Sequence, residues 1–189
     1  MALCLPDTAR TTRIGPAWRM AAAGAFLAAS AATAHAQQQA PAPPEDVTFY
    51  GNPSGTISAG VVIPANRASV WISGTTPPAI NPDAPAGSRE RFGDTKTQAT
   101  GILQSIEKQL AALGLTMKDV VYVRAYLVPD PAMEGRLDTA GWNAAYREVF
   151  GTDTNPTKTA RSTVGVAALV GAGWLVELEA FAVYPASKP

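Results

Sequence analysis

Residues 159–183 read TARSTVGVAALVGAGWLVELEAFAV, two runs of small, β-branched and aliphatic residues joined by a Gly-containing turn, the pattern of two neighbouring core strands. The first run carries Arg161 and the second carries Glu177 and Glu179. Side chains alternate along a strand, so Leu175, Glu177, Glu179, Phe181 and Val183 share one face while Val176, Leu178, Ala180 and Ala182 share the other. At that spacing the two carboxylates stand roughly 7 Å apart and repel by about 2 kcal/mol at an effective dielectric near 20. Such a pair demands solvent, a proton or a cation.

Upstream of these strands the chain alternates between the two periods. Short β-like runs occur at VTFYG and SAGVVIPA, and ASVWISG (68–74) alternates as a strand. Residues 75–93 are dense in Pro, Gly and charge and read as a long loop of the kind that is often functional or mobile. From Asp94 a helical stripe of Ala99, Leu103, Ile106, Leu110 and Leu113 runs to a terminating Gly114. VVYVRAYLV (120–128) is a strand, and a second amphipathic helix spans about 137–150 with Trp142, Ala145, Tyr146 and Val149 inward. This order predicts an α+β layer, a single sheet with both helices on one face. The other face must meet water or another subunit, and Trp71, Tyr122, Tyr126 and Phe181 make an oligomer the more comfortable choice.

The N-terminal end predicts a different fate. Arg10, Arg13 and Arg19 precede a small-residue apolar run from Met20 to Thr33, followed by Ala34-His35-Ala36. A basic region, a short apolar region and an A-x-A site make residues 1–36 a secretory signal peptide, cut before Gln37, and place the product in the periplasm or outside the cell. Residues 37–46, QQQAPAPPED, form a flexible lead, and the domain runs from 47 to 189. Cleavage removes three of 15 basic and one of 15 acidic residues, leaving a net charge of −2 that argues against a nucleic-acid partner. It also removes Cys4 and His35, the only cysteine and the only histidine. The mature chain then has no Cys-His pair, no Ser-His-Asp triad, no disulfide and no His- or Cys-ligated zinc. Chemistry falls to carboxylates, hydroxyls, Lys, Arg, backbone groups and water, with no metal or cofactor expected.

Arg161 is flanked by Ala160 and by Ser162, Thr163, Val164 and Gly165, small groups that leave a guanidinium in a pocket suited to a small carboxylic acid. The bland alternative is an edge-strand arginine paired with a surface carboxylate. Glu177 near such an anion site can serve as a general base on water. Glu179 is expected to pair with Arg161 or Arg124, or to face solvent. Ser73-Gly74 closes a strand ahead of the long loop, either a turn or a place where amides and a hydroxyl meet a ligand. Trp142 and Tyr146 are core residues, and Asn143 is a structural hydrogen-bonding residue.

The strand ending ISG (72–74), AALGL (111–115) with KDVVYVRAYLV, WNAAYREVF (142–150), and ARSTVGVAAL followed by VELEAFAV resemble, in this order, the Rid family of reactive intermediate deaminases, over about Val47 to Tyr184. The resemblance implies a chorismate-mutase-like α+β fold, a homotrimer and ligand clefts between subunits. It also implies that Arg161 binds the substrate carboxylate and that Thr163 contributes its backbone. Glu177 would then position the water that hydrolyses a 2-imino acid to a 2-oxo acid and ammonia. Departures from the family pattern are Thr159 where Pro or Ala is usual, Thr163 where Cys is common, and a stretch at 57–66, ISAGVVIPAN, with no cleft aromatic. A trimeric binding protein for a small carboxylate or aromatic ligand is the alternative to the deaminase. Nuclease activity, reported for some relatives, is the least supported.

Overall fold

The computed structural model describes residues 42–186. The signal peptide expected over 1–36 and the first part of the lead lie outside the described residues. Two short strands, β1 (Thr48–Tyr50) and β2 (Gly60–Val62), pair antiparallel. They are followed by β3 (Ser69–Thr75), a short helix α1 (Arg89–Phe92), the long helix α2 (Thr95–Ala112), β4 (Val120–Leu127), α3 (Thr139–Val149), β5 (Ala160–Gly165) and β6 (Val176–Val183).

The larger sheet is four-stranded and mixed, in the order β3-β6-β4-β5, with β3/β6 and β6/β4 antiparallel and β4/β5 parallel. Two expectations are corrected here. β5 and β6 are not neighbours, because β4 lies between them and the connection after Gly165 carries the chain past it. The sheet is also not single: β1 and β2 form their own two-stranded sheet, tethered to the start of β5 by the Ser58↔Ala160 bridge and by the Ser58 amide donating to the Thr159 carbonyl at 3.1 Å.

Both long helices cover one face. α2 starts at Asp94, whose side chain accepts from the Thr97 amide at 2.8 Å, and it buries Ala99, Ile102, Leu103, Ile106 and Leu110 against β3, β6 and α3. Leu113, expected on that stripe, is the C-cap and is largely exposed. Gly114 then takes φ +74°, which lets the chain turn out of the helix. α3 buries Trp142, Ala145 and Tyr146. Beneath the helices lie Val123, Ala125 and Leu127 of β4 and Val176, Leu178, Ala180 and Ala182 of β6. Each fully buried aliphatic or aromatic side chain contributes roughly 1.5–3 kcal/mol, and this face holds the hydrophobic core of the domain.

The segment 75–93 is held by its own contacts. Ile80 and Asn81 donate to the Arg91 carbonyl, the Arg91 guanidinium donates to the carbonyls of Pro82 and Ala84, and Arg89 pairs with the buried Asp130. Gln98, itself buried, donates to the carbonyls of Gly93 and Gly173 and accepts from the Leu175 amide at 2.7 Å, locking the entry of α2 to the turn before β6. At the N-terminal side, Arg67 holds Asp46 in an ion pair at 2.8 Å and also donates to the Glu45 carbonyl.

Candidate functional site

The parallel register pairs Val123 with Arg161 and Ala125 with Thr163. Residues paired across a sheet share a face, so Arg161 and Thr163 point to the helix side. There the guanidinium lies 4.5 Å from the centroid of the Tyr146 ring and 5.4 Å from that of Trp142, and its Nη2 donates to Asn143 Oδ1 at 2.8 Å. α3 supplies all three partners, since positions 142, 143 and 146 fall on one side of a helix. The rings are themselves pinned. Trp142 Nε1 donates to Thr163 Oγ1 at 3.0 Å, and the Tyr146 hydroxyl bonds the buried Thr159 hydroxyl at 2.9 Å.

This cage leaves Arg161 short of acceptors. Its Nη1 is buried without a hydrogen-bond partner, and no carboxylate pairs with it among the described residues. The alternative of an edge-strand surface ion pair is not formed among the described residues. Burial lowers the pKa of the guanidinium, and the charge of Arg147 lowers it further against the opposing pull of Tyr146. Stacking on aromatic faces contributes about 0.5–2 kcal/mol, while an unsatisfied buried donor costs about 1–3 kcal/mol and more when charged. Chemically, such an arrangement can bind an anion.

Beside it runs a free strand edge. The Val166 amide donates inward to the Leu127 carbonyl at 2.9 Å, and in a parallel ladder the alternate residues turn their amides and carbonyls outward. The Thr159 carbonyl, taken by Ser58, is one of these outward groups, and the Thr163 amide is another by the same parity. With its hydroxyl occupied by Trp142, Thr163 has its backbone left to offer a ligand.

Glu177 stands elsewhere. It is paired with Tyr126 on the face away from the helices, half-buried, and it forms no ion pair among the described residues. An irregularity between Ile72 and Thr75 breaks the β3/β6 register, and there the Glu177 carboxylate lies directly against Gly74, where a Cβ would collide with Oε1. Exposed Ser73 precedes it. Glu179 takes the cation that its neighbour's charge demands, pairing with Arg124 at 3.2 Å, and Arg124 also reaches the hydroxyls of Tyr122 and Tyr126. The expected residues thus form two groups, Arg161 with Thr163 on the helix side and Glu177 with Gly74 and Ser73 on the open side. Within one chain the sheet separates them.

Sequence reading missed the supporting set. Trp142 and Tyr146 are core as expected, yet they also seat the guanidinium, and Asn143 orients it. Thr159, set apart only as a departure from a family pattern, fixes the Tyr146 ring. Among the described residues no group of three or more His, Cys, Asp or Glu side chains converges.

The mixed sheet under two helices, with an unpaired arginine at its free edge, defines the class, and comparison with known proteins gives the family. Residues 55–184 match the family model described as Endoribonuclease L-PSP. The chain belongs to this family, known also as YjgF/YER057c/UK114 or Rid. The fold is that of a conserved Rid-family protein of unknown function, YyfB from Yersinia pestis, at 22% identity and a TM-score of 0.55, covering 74% of this chain and 99% of that one. A member of the YjgF/YER057c/UK114 family from Mycobacterium tuberculosis matches at 28% identity and TM-score 0.45, over 73% and 99% of the two chains. RidA from an Antarctic Psychrobacter matches at 24% and 0.47, over 75% and 100%. Among curated proteins the sequence finds no match.

Proposed function

We propose that the protein is an exported, cofactor-free enamine/imine deaminase that hydrolyses small 2-imino acids to 2-oxo acids and ammonia in clefts of a homotrimer. The observation that carries this reading is the Arg161 guanidinium, caged by two aromatic rings, oriented by Asn143 and without a carboxylate partner among the described residues. Its free donors suit the planar carboxylate of a 2-imino acid, with the outward Thr163 amide beside them. Because Glu177 lies on the other face of its own sheet, the carboxylate that serves this anchor comes from a neighbouring copy, which is why the site needs the oligomer. The exposed Trp71, stacked on Phe181 at 5.3 Å, supports burial of that open face between copies.

In the reaction Glu177 accepts a proton from water as the water oxygen bonds to C2, and the C=N electron pair moves to the nitrogen, which takes up a proton. The carbinolamine nitrogen takes the proton held by Glu177, the hydroxyl proton passes to solvent as the C–N bond breaks, and ammonia and the 2-oxo acid are released. Arg161 holds the carboxylate throughout, and no redox partner is required. Ammonia release by the purified protein from 2-iminopropanoate or 2-iminobutanoate generated in situ tests the reading, with release above the uncatalysed rate expected. A rate equal to the protein-free control, with retained 2-oxo acid binding, favours the second reading, a trimeric carrier of small carboxylates. The absence of an aromatic from residues 57–66 is the feature that favours the carrier.

A further inference from the structure

We infer that the Arg161 site selects acids bearing a second anionic group and that Arg147 is the residue that selects them; the inference rests on Arg161 being the carboxylate anchor. α3 places Asn143 and Arg147 one turn apart on the same side. Asn143 holds Arg161, while Arg147 Nη2 reaches Thr56 Oγ1 at 3.5 Å. The segment containing Thr56 is fastened just below Arg161, where the Ser58 amide and hydroxyl bond the carbonyls of Thr159 and Lys158. Arg147 is therefore held against the strip of chain that borders the anchor, near enough for its charge to act on the Arg161 guanidinium.

Neither cation has an acid partner among the described residues, where the four ion pairs engage Arg67, Arg89, Lys96 and Arg124. Nearby carboxylates are committed elsewhere. Glu148 pairs with Lys96 at 2.7 Å, and Asp138 caps α3 by accepting from the Gly141 amide at 2.8 Å. Lys158, a third cation three residues before Arg161, donates to the Pro53 carbonyl. A monocarboxylate neutralises one of two neighbouring guanidiniums and leaves the other's charge unanswered. A 2-oxo or 2-imino acid whose side chain ends in a second carboxylate answers both, and a charge-assisted contact of that kind is worth roughly tenfold or more in affinity.

Calorimetric titration of the purified protein with 2-oxoglutarate and with 2-oxobutanoate tests this. The diacid is expected to bind about tenfold or more tightly than the monoacid. Arg147→Ala should bring the ratio close to one, whereas Lys108→Ala, which removes the same charge from an exposed position on α2, should keep it. Equal affinities in the wild type, or a preference that survives Arg147→Ala, overturn the selection by Arg147 while leaving the anchor standing. Failure of both acids to bind overturns the anchor itself and this inference with it.

Discussion

The two faces of the four-stranded sheet are built from the same strands and come to opposite ends. Under the helices, Val123, Leu127, Val176, Leu178, Ala180 and Ala182 are at most 1% exposed, and nothing outside the chain is needed to complete them. On the other face Trp71 is 64% exposed, and Tyr122, Arg124, Tyr126, Glu177, Glu179 and Phe181 lie half-buried among one another. The closed face keeps one unfinished residue, Arg161 at its edge, and the open face keeps another, Glu177. Among the described residues each lacks an ionic partner, and the sheet keeps them apart. A fold that completes one face and leaves a guanidinium and a carboxylate without ionic partners on opposite sides among the described residues fits the proposal of a site assembled from two copies.

Removing the anchor is expected to have the largest effect. Arg161→Ala should abolish turnover and weaken 2-oxo acid binding together, because a carboxylate contact acts in ground and transition states alike. Arg161→Lys should rescue poorly, since an ammonium cannot make two parallel hydrogen bonds from a planar fork or stack equally on Tyr146. Steady-state kinetics with matched binding titrations separate this from a structural role, in which activity would track the folded fraction.

On the open face the expected loss is catalytic alone. Glu177→Gln should keep 2-oxo acid binding and lower kcat by about 10²- to 10⁴-fold, the usual range for a lost general base. Gly74→Ala should reproduce part of that loss while the carboxylate stays in the chain, because its new methyl must displace the Glu177 side chain. Wild-type kcat in either variant would leave Glu177 as ordinary surface charge.

How much of this could be read from the chain depended on the range of the contacts. α2 and α3 were legible because their apolar period is local, and the inward Trp142 and Tyr146 followed from it. The facing of Glu177 and Glu179 was legible because strand alternation is local too. Strand order was not, since β5 and β6 show the same alternation whether they pair with each other or with β4. The cage around Arg161 was likewise hidden, because it joins β5 to residues 15 to 19 positions earlier on a helix whose placement only the fold supplies. Gly74 was visible as the end of a strand, but its closeness to Glu177 depends on the irregularity between Ile72 and Thr75, which leaves no mark in the sequence.

Smaller effects sharpen the contrast between the faces. The cap of α2 belongs to the closed face, and Asp94→Ala should cost about 0.5–2 kcal/mol at neutral pH by urea denaturation. The Thr97 amide bond holds the Asp94 pKa below its ordinary value. That contribution is therefore full above the unfolded carboxylate's pKa and fades as pH falls through the folded one, so variant and wild type should converge in acid. Smallest is the Arg124–Glu179 pair, with side chains 37% and 25% exposed. A double-mutant cycle there should give about 1 kcal/mol or less, and less again at high salt.

The claim that Arg161 and Glu177 act together only across two copies can be tested by mixing two dead enzymes. Arg161→Ala and Glu177→Gln subunits, co-expressed in equal amounts, should form trimers of which three-quarters are mixed, each with one of three clefts holding both native residues. Turnover should return to roughly a quarter of the wild-type value per trimer, as the closed three-fold arrangement requires. Activity no higher than that of the separate variants, with mixed trimers demonstrated by native mass spectrometry, would contradict it.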